Sequence, residues 1–247
     1  MNLGGREKHG AVLASVALAS IFGVVIFSGC GGVQRREILS EYRLSRPRAE
    51  LGHSIWLASF AASELAGSLS PDGRRLLYTS DDKGSLDIWI KNLVTGLPKR
   101  LTTNAAIDTQ PAFFPDGQRI VFVSMRKDAK GDLYLWAKGK ISRLTGDDLA
   151  ESDPTVASDG AIYYAAGDVL RTRIVRLRVG EKTPTPVSRW GATHPALSAD
   201  GRLLAFTWFD PEGRGRVVVK RLADARTFIV TMPDYHAGFP TFSPKGR

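Results

Sequence analysis

The amino-acid sequence predicts an all-β chain built as a β-propeller of four-stranded antiparallel blades. Three observations lead there. A glycine-closed turn recurs as SPDG at 70–73, PDG at 115–117, SDG at 158–160, ADG at 199–201 and SPKG at 243–246. The turn glycines Gly73, Gly117, Gly160, Gly201 and Gly246 follow one another at steps of 44, 43, 41 and 45 residues, and a fixed period near forty marks repeated supersecondary units. Between the turns lie short β-branched and aromatic runs; the apolar spacing of three and four that a helical repeat needs is not sustained between 68 and 247.

Each unit has the same internal order. A short strand containing proline comes first: TQPAFF, SDPTVA, THPALS and GFPTFS. The turn follows. Pro71 and Pro115 preset φ for a type I turn, the aspartate accepts local hydrogen bonds, and glycine takes the positive φ that ends it. A second strand comes next (RLLYTS, RIVFVS, AIYYAA, LLAFTW), then a polar loop and a third strand (LDIWIKNL, DLYLWAKG, RIVRLRV, RVVVKRL). A fourth short strand closes the unit on a hydroxyl residue: KRLT, SRLT, TPVS and FIVT. Four strands per period are the pattern of a propeller blade. One blade cannot bury both of its faces, so Tyr78, Trp89, Phe122, Tyr134, Trp136, Tyr164 and Phe206 are read as core between blades.

Four units are complete and a fifth has only begun, so the sequence predicts an incomplete ring with exposed strand edges. The third unit departs from the others. Its turn lacks proline, and its third strand carries Arg171, Arg173, Arg176 and Arg178, several of which alternation can put on one exposed face, as a solvated edge or as a basic surface for an acidic partner.

The N-terminus reads as an address. Arg6 and Lys8 precede seventeen uncharged residues from Ala11 to Phe27, the layout of an export signal with a core short for a membrane span. Phe27-Ser28-Gly29-Cys30 resembles the bacterial lipobox, with Gly29 and Cys30 in the expected places and Phe27 where leucine is usual. Cys30 is the only cysteine, so intrachain disulfides are ruled out. The predicted organisation is a signal peptide at 1–29, a lipidated N-terminus and polar tether at 30–50, and the propeller at 51–247. This places the chain in the cell envelope, lipid-anchored to a membrane through Cys30 and facing the periplasm or exterior.

The net charge is +9, yet no dense Lys/Arg block marks a nucleic-acid groove. The nucleophile-elbow, P-loop and zinc-helix motifs are absent, and no cofactor is expected. On the rim formed by the loops before each first strand, the sequence places Asp108, Glu151, Asp153, His194 and His236 as candidate binding residues. Their spacing gives no compact metal motif.

The units resemble the WD40-like repeat of TolB-type propellers. The signature Pro-x-x-x-Pro-Asp-Gly followed by an apolar-x-aromatic strand matches best over Pro111–Phe122 and Ser70–Tyr78, and the closing Leu-Thr recurs in KRLT and SRLT. The resemblance covers about 66–247. It implies a non-enzymatic scaffold that binds a protein or peptide partner in the cell envelope. Two enzymatic readings stand beside it. One is the propeller of a prolyl-oligopeptidase-type serine peptidase whose hydrolase domain is missing here. The other is a metal-dependent propeller lyase, which would have to use His194 and His236.

Overall fold

The computed structural model describes residues 64–168, 171–232 and 235–243, without the side chains of 64–66. The expected signal peptide, Cys30, the expected tether and the turn of the fifth unit lie outside the described residues. Among the described residues, sixteen strands form four separate antiparallel sheets, each a simple up-and-down meander. The first blade contains β1 (Glu64–Leu69), β2 (Arg75–Ser80), β3 (Asp87–Asn92) and β4 (Pro98–Arg100). The second contains β5 (Asp108–Phe113), β6 (Ile120–Ser124), β7 (Asp132–Ala137) and β8 (Lys140–Arg143). The third contains β9 (Ala150–Val156), β10 (Ile162–Asp168), β11 (Arg171–Leu177) and β12 (Thr185–Pro186). The fourth contains β13 (Ala192–Leu197), β14 (Leu203–Phe209), β15 (Gly215–Arg221) and β16 (Thr227–Ile229).

Neighbouring blades pack face to face, and strand alternation sorts the side chains. In β6, Ile120 and Phe122 join Leu77 and Ile88 of the first blade, while Val121 and Val123 join Ile162, Tyr164 and Ala166 of the third. In β10, Tyr163 and Ala165 turn the other way, toward Leu204 and Phe206 of the fourth blade. A period-two strand with both faces covered reads as a continuous apolar run, which explains RIVFVS and AIYYAA. Of the aromatics assigned to the core, Trp89, Phe122, Tyr134, Tyr164 and Phe206 are buried. Tyr78 and Trp136 are only half-buried.

The closing hydroxyl of each unit has a structural role. Thr102 Oγ1 accepts the backbone N–H of Ile88 at 2.9 Å, Thr145 that of Leu133 at 2.8 Å, Ser188 that of Ile174 at 2.8 Å and Thr231 that of Val217 at 3.3 Å. The preceding residue donates its own N–H to the carbonyl of that same third-strand residue, as Leu101 does to Ile88 and Val187 to Ile174. An aliphatic residue followed by Thr or Ser therefore clips the short fourth strand onto the third in each of the four blades. The opening turn is equally local. Ser70 Oγ accepts from the Arg75 N–H at 2.9 Å, Gly73 N–H donates to Ser70 O at 2.8 Å, and Gly73 sits at φ 67°.

The first strands touch in succession, β1 to β5, β5 to β9 and β9 to β13, so they line the axis. Among the described strands the first and fourth blades share no contact, so the four blades form an open arc. The fifth unit differs from expectation: 238–243 is not a strand. It lies instead along the fourth blade, with Ala237 N–H on Gly215 O at 2.9 Å and Phe239 N–H on Thr207 Oγ1 at 3.0 Å.

The arginines of β11 do not share one face. Alternation puts Arg171 and Arg173 on the side of Val175 and Arg176 on the side of Ile174, and Arg178 lies just past the end of the strand. Three have internal partners. Arg173 stacks 4.4 Å over the Trp190 ring, Arg176 reaches Glu181 at 3.5 Å, and Arg178 pairs with Asp159.

Candidate functional site

The prolines of the first strands create the site. Pro111, Pro154, Pro195 and Pro240 lack the N–H a ladder needs, and in β5, β9 and β13 the pairing slips at this point. The residue before each proline takes left-handed backbone: Gln110 at φ 52°, Asp153 at 54°, His194 at 50° and Phe239 at 55°. Positive φ is uncommon for non-glycine residues, and a following proline further restricts this position. Strain of this kind is of order 1–3 kcal/mol per residue and persists where the surrounding fold fixes it. The result is a bulge in each of β5, β9 and β13 and the same left-handed backbone at Phe239, and each of the four presents one side chain to the axis.

These side chains meet in one cleft of about 270 Å³, with Gly67 of β1 at its edge. Gln110 Nε2 donates to Asp153 Oδ1 at 2.9 Å, and the Asp153 N–H donates to Gln110 Oε1 at 3.0 Å. Ser152 Oγ donates to Asp153 Oδ2 at 3.1 Å. His194 Nε2 lies 3.9 Å from Asp153 Oδ2, and its Nδ1 is 2.9 Å from Thr193 Oγ1. The imidazole stacks against Phe239, with ring centroids 3.9 Å apart. Burial holds His194 below the ordinary histidine range, against the upward pull of Asp153. The cleft thus offers an amide, a carboxylate, a neutral imidazole and an exposed aromatic ring in a row.

The sequence-named residues separate into three groups. Asp153 and His194 enter the cleft. Asp108 and Glu151 are buried rather than on an open rim, because each satisfies backbone or charge inside the blade stack. Asp108 accepts from Arg126 at 2.9 Å and from Asn104 at 3.0 Å. Glu151 accepts the Leu133 N–H at 2.8 Å and the Thr145 hydroxyl, and burial pushes its carboxyl up to about 7. His236 is exposed beside the fourth blade and does not line the cleft. Among the described residues no group of three or more His, Cys, Asp and Glu side chains gathers as a metal site would require. Gln110 and Phe239 escaped the sequence reading, although the signal was present: both stand immediately before the proline of a first strand.

Comparison with known proteins agrees with this architecture. Residues 49–185, more than half of the chain, match the TolB β-propeller domain family (PD40). The Tol-Pal system protein TolB of Francisella tularensis is 25% identical over 148 residues, covering 56% of this chain and 34% of that protein. The chain therefore spans about a third of the length of the curated relatives it matches. Among solved structures, TolB from Acinetobacter baumannii superposes with a TM-score of 0.67 at 22% identity, over 77% of this chain and 48% of that one. A puromycin hydrolase superposes with a TM-score of 0.57 at 16% identity, over 72% of this chain and 30% of the enzyme. At these identities the two structures speak for the fold alone. The family match decides membership: this chain belongs to the TolB β-propeller domain family.

Proposed function

We propose that this chain is a cell-envelope lipoprotein whose propeller acts as a non-enzymatic scaffold, gripping a protein or peptide partner in the cleft of Gln110, Asp153, His194 and Phe239. One observation carries the reading. β5, β9 and β13 adopt the same strained bulge before a proline, the non-strand segment at Phe239 repeats its left-handed backbone, and each aims a single side chain at the axis. The frame repeats while the presented groups differ, as a surface that reads a varied segment requires. Gln110, Asp153 and His194 supply hydrogen-bonding groups that a peptide backbone can use, and Phe239, 76% exposed, supplies an apolar contact. Asp108, Glu151 and His236 are left out of this role on account of their placement. The lipobox-like Phe27–Cys30 supports anchoring at Cys30, since each acyl CH₂ buried in a bilayer adds about 0.8 kcal/mol.

Two experiments test the reading. Metabolic labelling with a palmitate analogue should tag the wild-type chain and leave Cys30→Ser unlabelled and released from membranes; label on Cys30→Ser would refute the anchor. Affinity purification from envelope extracts should recover a partner with the wild type and lose it with Asp153→Ala/His194→Ala. Equal recovery with a folded double variant would refute the cleft.

A further inference from the structure

A second cleft, of about 340 Å³, opens between the first two blades on the side of the opening turns, and it shares no residue with the axial one. Its floor is Ile90, Leu101, Phe113, Ile120 and Trp136, and its lip carries Arg75, Lys99 and Lys138 with no carboxylate among the lining residues. Each cation is placed by the backbone. Arg75, at the start of β2, holds its guanidinium 5.4 Å from the centroid of Phe113. It also lies across Gly117, where a Cβ would come within 2.9 Å of Nη2. Lys99 stands opposite Ile90 in β4. Lys138 occupies the first position of a two-residue hairpin turn between Ala137 and Lys140, at φ 50° beside Gly139 at φ 78°, the backbone of a type I′ turn.

The cations of this lip differ from the arginines that are held in ion pairs elsewhere. Arg100, Arg119, Arg126, Arg143 and Arg178 all sit against carboxylates. Among the described residues Arg75, Lys99 and Lys138 have no ion-pair partner. Three cations outside any ion pair, around a recessed apolar floor with no carboxylate in its lining, favour a ligand that brings negative charge to the lip and an apolar group to the floor. The recess suits a single bulky side chain, and its walls are strands of two different blades, so an extended chain can lie along it with carboxylates on either side.

We propose that this inter-blade cleft binds an acidic peptide segment that inserts one aromatic or branched aliphatic side chain between Phe113 and Trp136. The test uses the full-length protein and fluorescence anisotropy of a fluorescein-labelled nonapeptide of alternating aspartate and glycine with one central phenylalanine. Saturable binding is expected, weakened about tenfold or more by Lys99→Glu/Lys138→Asn and by serine in place of the peptide's phenylalanine. Asparagine tolerates the left-handed backbone at 138, so the double variant should melt with the wild type; if it does not fold, Lys99→Glu alone, at an exposed edge, gives the comparison. Absence of saturable binding, or equal affinity for the charge variant, overturns the proposal. So does charge-dependent binding found with phosphatidylglycerol vesicles in place of the peptide, which would assign the cations to a membrane surface.

Discussion

Gln110 and Asp153, one from each of two adjacent blades, exchange a reciprocal pair of hydrogen bonds across the axis, side-chain amide to carboxylate at 2.9 Å and backbone N–H to side-chain carbonyl at 3.0 Å. The pair ties two strained bulges together. Gln110→Ala leaves both Asp153 groups to find other partners in a half-buried cleft, and should cost about 1–2 kcal/mol. Thermal denaturation checks this, with the midpoint falling by about 3 °C or more.

His194 lies at φ 50°, a conformation glycine adopts freely and a β-branched residue resists. His194→Val should therefore be less stable than His194→Gly by about 1–2 kcal/mol, although both remove the imidazole and its contact with Phe239. Urea denaturation with unchanged slopes gives the comparison; equal midpoints would mean that the bulge is not fixed by the fold.

Thr102 links the backbone to a buried carboxylate. Its hydroxyl accepts from the Ile88 N–H and donates to Asp87 Oδ1 at 3.0 Å, and both Thr102 and Asp87 are buried. Thr102→Val keeps the shape and strands both groups, at a cost of about 2–3 kcal/mol, whereas Thr102→Ser retains the hydroxyl and should cost less than about 1 kcal/mol. Chemical denaturation of the two variants separates lost hydrogen bonding from lost packing.

Glu151 gives the fold a pH dependence. Its folded carboxyl is raised by burial to about 7 from an ordinary 4.5, so the folded state holds a proton that the unfolded state gives up. The associated stability is fully present below about pH 4.5 and is lost as the pH rises through about 7. Glu151→Gln, which cannot ionise, should flatten the stability profile between about pH 5 and pH 8. Denaturation midpoints across that range provide the check; a wild-type profile unchanged by the substitution would contradict the assignment.

Much of this architecture was legible in the sequence because it rests on local chemistry. The aspartate-glycine turn and the closing Thr or Ser are each tied to backbone hydrogen bonds within a single blade, so they recur at fixed spacing. The sites were harder to read because they depend on which residues meet between blades. Asp108 and Glu151 look like rim acids in one dimension, and only the packing of Arg126 and of the Leu133 N–H against them shows that they are internal. Gln110 and Phe239 carry no motif of their own; a left-handed residue before proline runs against the usual preference of that position, which hid them. The arginines at 171–178 look like one patch because they are close in sequence, while alternation divides those of β11 and carboxylates pair with Arg176 and Arg178.

The most direct test of the central claim, that the row of bulge residues is the surface that meets the partner, is site-specific photo-crosslinking in the producing cells. A photoactivatable amino acid at position 194 should give a discrete higher-mass adduct with an envelope protein on illumination, while the same group at position 72, on the exposed first turn, should give none. No adduct from position 194, or the same adduct from both positions, would contradict the account.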